Sequence, residues 1–110
     1  MSMKINQTDT YTQVTFSGRL NAAMAKEVQK DALEVIEKEN NHIIIDCTGL
    51  EYISSSGLKL LLMLEKRAVA KKLKLSICNL EFNIREIFNI SGFSGIFRIY
   101  PDLETAINNP

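Results

Sequence analysis

The run His42-Ile43-Ile44-Ile45-Asp46 constrains the fold more than any other segment of the chain. Three consecutive β-branched residues disfavour a helix, and in a strand they present apolar side chains to both faces. Such a strand belongs inside a sheet, with parallel neighbours and cover on each side. The flanking segments fit that demand. Asn21 stands where an N-cap belongs, and Met24, Val28, Ala32, Val35 and Ile36 recur at three- and four-residue spacing. This pattern predicts a helix running to about Glu39, with Lys26, Lys30, Glu34 and Lys38 on its outer face. After Asp46, a turn containing Thr48 and Gly49 leads to Tyr52-Ile53 and to a second helix from about Ser56 to Lys72.

The remaining elements complete the alternation. Ile5 to Asp9 and Tyr11 to Phe16 read as a hairpin turning at Asp9-Thr10, with Gly18 breaking the second strand. Leu73 to Cys78 alternates and predicts a strand; Glu81 to Asn89 predicts a helix that Ser91-Gly92 stops. Ile96 to Tyr100 is a last short strand, and Pro101-Asp102 opens a final helical turn through Leu103, Ala106 and Ile107. The order implies an α/β fold with right-handed βαβ crossovers after an N-terminal hairpin. The expected architecture is a mixed, mostly parallel sheet of about four to five strands with about four helices, built as a single domain over residues 1–110.

Composition removes several function classes. Lys+Arg 13 balances Asp+Glu 13, so the basic excess that phosphodiester backbones require is missing and no nucleic-acid partner is expected. The same balance leaves self-association open. The longest apolar run, Leu60 to Leu64, is far short of the ~20 residues of a membrane span. The N-terminus has no apolar signal core, which points to the cytoplasm. Cys47 and Cys78 lack metal-ligand spacing and read as small apolar residues. No nucleotide-binding glycine motif is present, so no cofactor is expected. The lone His42 begins a strand whose far end leads to the serines, about 16 Å away, which argues against a Ser-His-Asp triad and against an enzyme. Asp46 is better placed to orient a loop by accepting backbone N–H groups.

The most informative segment is Tyr52-Ile53-Ser54-Ser55-Ser56-Gly57-Leu58, between a strand and a helix. Open α/β sheets place their binding sites there, at the carboxyl ends of strands. Three hydroxyls and free N–H groups meet at the positive end of a helix dipole and suit a bound anion or an attached phosphate. One serine needs no role beyond capping; three followed by Gly57 exceed what a cap requires. The second helix is apolar around much of its circumference, through Leu58, Leu60, Leu61, Leu62, Met63 and Leu64. Either some of these side chains stay exposed as a partner surface, or the helix is packed on two sides by its neighbours. Lys66-Arg67 with Lys71, Lys72 and Lys74 reads as a basic patch complementing the negative end of that helix. Phe93 and Phe97 read as core or loop-packing residues.

Gly18-Arg19-Leu20-Asn21, the run Ile43 to Asp46 and Ile53-Ser54-Ser55-Ser56-Gly57-Leu58, taken together with the order of elements, resemble a STAS domain over essentially the full chain. More narrowly, the chain is similar to the stand-alone bacterial anti-sigma factor antagonists. Their loop reads Asp-Ser-Ser/Thr-Gly-Leu, so the resemblance makes Ser55 the phosphorylation site. Ser54, in place of the family Asp, and Ser56 and Gly57 then form the switch loop. Asn21 stands where the family often has an Asp, and Asn21, with Leu58, Leu60 and Met63 of the apolar second helix, is expected to contact the partner. The partner so implied is an anti-sigma factor that is also a serine kinase, which phosphorylation releases and a serine phosphatase allows to rebind. Two other functions fit the same loop: a non-phosphorylated docking subunit of a larger complex, such as a membrane transport assembly, and a small-anion binding domain.

Overall fold

The computed structural model describes residues 2–110. Its elements in chain order are β1 (Ser2–Gln7), β2 (Tyr11–Leu20), α1 (Ala22–Lys38), β3 (His42–Ile53), α2 (Ser55–Ala70), β4 (Leu75–Cys78), α3 (Phe82–Ile90), a 3-10 turn (Phe93–Gly95), β5 (Arg98–Tyr100) and α4 (Leu103–Asn108). The five strands lie in the order β1-β2-β3-β4-β5. β1 is antiparallel to β2, and every later pair is parallel. This is the α/β architecture expected from the alternation of elements.

The isoleucine run is central, with β2 on one side and β4 on the other. Ile43 and Ile45 join the main core, built with Val14, Phe16, Ile36, Leu61, Leu64, Ile77 and Phe88 beneath α1, α2 and α3. Ile44 points to the opposite face and packs with Cys78 and Ala106 under α4. Burial of both strand faces is the demand that the β-branched residues made. Both cysteines are buried and unbridged, and burial pushes the Cys78 thiol up to about 12, so each serves as an apolar filler.

Several boundaries differ from the sequence expectation. β1 ends at Gln7 rather than Asp9, because the Thr8 hydroxyl closes the turn by accepting from the N–H groups of Thr10 (3.3 Å) and Tyr11 (3.1 Å). β4 starts at Leu75 rather than Leu73, after a turn with Lys72 at φ 62°. β5 starts at Arg98 rather than Ile96, because the preceding 3-10 turn and Phe97 are folded into an aromatic cluster, with ring centroids of Phe88 and Phe97 5.8 Å apart.

The largest difference lies in β2 and β3. Gly18 does not end β2, and Thr48-Gly49 is not a turn; the two strands stay paired to Leu20↔Ile53. They do so through two irregularities, at each of which β3 carries one extra residue: Thr15↔Asp46 is followed by Ser17↔Gly49, and Gly18↔Leu50 by Arg19↔Tyr52. Gly18 takes φ +88°, a backbone angle that side-chain-bearing residues adopt only at a cost.

Asp46 holds the first irregularity together. Its carboxylate, 6 % exposed, accepts the Thr48 N–H (3.0 Å), the Thr48 hydroxyl (2.5 Å), the Gln13 amide (2.9 Å) and the Asn79 amide (3.1 Å). It does orient backbone, as expected, but at the bulge rather than at the serines. Burial pushes this carboxyl up, yet the hydrogen bonds from Thr48, Asn79 and Gln13 outweigh burial and hold it below the usual Asp range. Its folded value is depressed, so its contribution is complete above the unfolded Asp pKa and is lost as pH falls through the folded value. Asp46→Asn turns one acceptor into a donor facing another amide. The substitution should cost about 1–3 kcal/mol near neutral pH and remove this share of the acid-side loss, as read by urea titrations of both proteins from neutral to acid pH.

Candidate functional site

The carboxyl ends of β2 and β3 deliver two similar triplets side by side. Arg19-Leu20-Asn21 and Tyr52-Ile53-Ser54 each run from an exposed residue to a buried aliphatic residue to a helix cap. Strand register pairs Arg19 with Tyr52 and Leu20 with Ile53. The Arg19 guanidinium lies 4.3 Å from the centre of the Tyr52 ring, a cation–π contact at the edge of the site. Asn21 then caps α1 by accepting the Met24 N–H (2.9 Å), and Ser54 caps α2 by accepting the Gly57 N–H (3.1 Å).

Ser54 is fully engaged. Its hydroxyl also donates to the Leu20 carbonyl (3.1 Å), which accepts the Ser54 backbone N–H as well (3.0 Å). A carboxylate here, as in the Asp-Ser-Ser/Thr-Gly-Leu pattern, could cap the helix but could not donate to Leu20. Ser54 therefore fills the cap position with an added tie between the end of β2 and the start of α2.

Gly57 is buried for a steric reason. A Cβ at this position would stand 2.7 Å from Ile53 Cγ1, 2.9 Å from the Leu20 carbonyl oxygen and 3.0 Å from Leu20 Cγ. Absence of a side chain lets the first turn of α2 press onto the ends of both strands. Ser55 is the first residue of α2 and is exposed, whereas Ser56 is half-buried and faces the cleft between α1 and α2. Neither α1 nor α2 carries an acidic residue in its first turn, so both positive helix ends remain unneutralised at one corner of the molecule.

The residues expected to meet a partner divide. Asn21 is exposed beside Ser54, and Met63 is 37 % exposed. Leu58 is half-buried and packs against the core. Leu60 is not a surface residue: it is 2 % exposed. Helix α1 lies along α2 and widens its inward-facing belt, so Leu60 packs with Leu61 and Leu64 in the main core. For Leu60, the reading of a helix packed on two sides is the correct one.

The basic cluster differs too. Lys71 reaches across to the end of α1, donating to the carbonyls of Ile36 (2.8 Å), Glu37 (2.5 Å) and Glu39 (2.8 Å). It complements the negative end of α1 rather than that of its own helix. His42, at the opposite end of β3, shares a hydrogen bond with the Ser76 hydroxyl (2.8 Å). Burial, then the charges of Arg98 and Lys74, hold its pKa below the usual value. Sequence reasoning passed over the Arg19–Tyr52 stack, although the matching positions of these residues ahead of the two caps are visible in the chain. It also did not separate the two faces of α3, where Ile84 and Phe88 are buried while Phe82 and Ile90 are exposed.

Fold and site together define a small α/β domain that presents an exposed serine where two helix N-termini meet. Residues 2–106 match the family model of the STAS domain, and the chain belongs to that family. Among curated proteins it is 29% identical over 106 residues to BtrV of Bordetella bronchiseptica, a candidate anti-sigma factor antagonist, covering 96% of this chain and 91% of that one. It is 31% identical over 101 residues to the anti-sigma-B factor antagonist of Listeria monocytogenes, covering 90% and 88%. Among solved structures, the anti-sigma factor antagonist SpoIIAA in its unphosphorylated form superposes with a TM-score of 0.81 at 19% identity, covering 97% of this chain and 94% of that one. The phosphorylated form of the Bacillus protein gives 0.74 at 19% identity, covering 97% of each. At that identity the likeness is one of fold. Among the described residues, no helix is long and apolar enough to cross a membrane.

The tight contact at Gly57 and the double role of Ser54 set measurable costs. Gly57→Ala should lose about 1–3 kcal/mol by overpacking, and Ser54→Ala about 1 kcal/mol by loss of the cap. Urea unfolding at neutral pH reads both.

Proposed function

We propose that this chain is an anti-sigma factor antagonist: a non-catalytic, cytoplasmic protein-binding module that sequesters an anti-sigma factor with serine kinase activity. Phosphorylation of Ser55 ends the binding, and a serine phosphatase restores it. The observation that carries this reading is the exposed Ser55 at the first position of α2, beside a hydroxyl already committed to capping. A kinase needs an accessible acceptor, and of Ser54 and Ser55 the latter is the one in the open. The names of the relatives from Bordetella and Listeria point to the same class.

The switch follows from electrostatics. A phosphoserine adds about −1.5 to −2 charges. Within the free domain, that charge sits at two helix N-termini with no carboxylate in either first turn, where an anion is stabilised by roughly 0.3–1 kcal/mol per helix end. The fold therefore tolerates it. A partner packed over Ser55 must instead desolvate a dianion, and a loss of a few kcal/mol lowers affinity by orders of magnitude. Partner exchange then needs no change of shape.

With the ATP-dependent anti-sigma factor kinase from the same genome, wild type should gain one phosphate by intact mass, and Ser55→Ala none. Phosphate gain persisting unchanged in Ser55→Ala would remove the site. By calorimetry, Ser55→Asp should bind that kinase at least tenfold more weakly while its Tm stays within a few degrees of wild type; a large drop in Tm would contradict the tolerance for charge at this position.

A further inference from the structure

Next to Ser55, α1 and α2 leave a cleft whose lining does not include Ser55 itself. Its upper part, about 320 Å³, has a floor formed by Ala22, Ala25 and Met63, and Lys26 and Lys59 on its rims. A second hollow of about 310 Å³ adjoins it at Met63 and lies along α2 alone, bordered by Lys66, Arg67 and Ala70. From Ser56 to Ala70 the two hollows together follow about 20 Å of α2, the length of roughly four helical turns.

The charge on this groove is one-sided. No carboxylate lines either hollow. Arg67 is already paired, with Glu37 at 2.8 Å, whereas among the described residues Lys26, Lys59 and Lys66 form no salt bridge. The chain as a whole has a formal net charge of +0, so Lys26 and Lys59 on the cleft, with Lys66 on the adjoining hollow, are a local segregation of charge. The unneutralised N-termini of α1 and α2 add positive potential at its upper end.

We infer that this groove between α1 and α2 receives an acidic amphipathic segment of the anti-sigma factor, its carboxylates on the lysine rims and its apolar side chains on Met63 and the alanines. The inference rests on the antagonist reading and names the chemistry of the partner. A basic partner is repelled by the rims, and a purely polar one leaves Met63 uncovered. The placement also couples the groove to the switch. Ser55 and Lys59 are four residues apart on α2 and share one helix face. A phosphate on Ser55 brings negative charge to the mouth of the groove, where it pairs with Lys59 and repels the incoming carboxylates.

Calorimetry with the anti-sigma factor kinase of the same genome tests this. Lys26→Glu combined with Lys59→Glu should bind at least tenfold more weakly than wild type, with an unchanged circular dichroism spectrum. Lys4→Glu, a charge reversal on the remote strand β1, should bind as wild type does. Equal binding by wild type and the double variant would overturn the inference and leave the antagonist reading in place. The groove is equally ruled out if affinity responds instead to Phe82→Ser and Ile90→Ser on the exposed face of α3. Failure of wild type to bind the anti-sigma factor at all would remove both.

Discussion

The parallel pairing of β2 with β3, carried to its last rung at Leu20 and Ile53, is the constraint on which the rest depends. Both strands end at the same level, so the two helices that follow start side by side. The Leu20 carbonyl secures the junction by accepting two hydrogen bonds from Ser54. The lack of a side chain at Gly57 lets α2 close onto that carbonyl and onto Ile53. With this corner in place, the exposure of Ser55 follows from helix geometry: the residue after an inward-turned cap is rotated away from the strands.

Apolar burial alone does not produce that corner. β3 reaches it only by accommodating two extra residues against β2, and a bulge leaves polar backbone that needs a partner. Asp46 supplies one at the first bulge and ties it to Gln13 on β2 and to Asn79 after β4. Elsewhere, Lys71 takes up three carbonyls at the end of α1. Asp46 thus braces the sheet at the bulge, and Lys71 ties the end of α1 to the end of α2.

In the proposed switch, the site works through its charge. Two helix N-termini, the Arg19 guanidinium on Tyr52 and Lys26 and Lys59 gather positive charge at one corner of a chain without net charge. A single dianion changes what that corner attracts. Under that proposal the free and phosphorylated domains need differ only in charge.

Much of this was legible in the sequence, and the legible part has a common cause. Burial of the isoleucine run on both faces, the cap at Asn21, the stripe of α1 and the serine run ahead of an apolar helix all depend on residues within about four positions of one another, where helix and strand periodicities operate. What only the tertiary structure decided depends on residues some thirty positions apart. Thr48 and Gly49 carry turn chemistry locally, yet they lie within a strand because Asp46, held by Gln13 of β2 and by Asn79 just after β4, stabilises the bulge. Leu60 belongs to a helix with apolar residues to spare, and the approach of α1 buries it. Lys71 looks like part of a patch until α1 ends beside it. Lys26 and Lys59 became neighbours across one groove only because strand register set two helices side by side. Local periodicity selects the elements and their caps, whereas exposure and electric field are sums over everything that packs nearby.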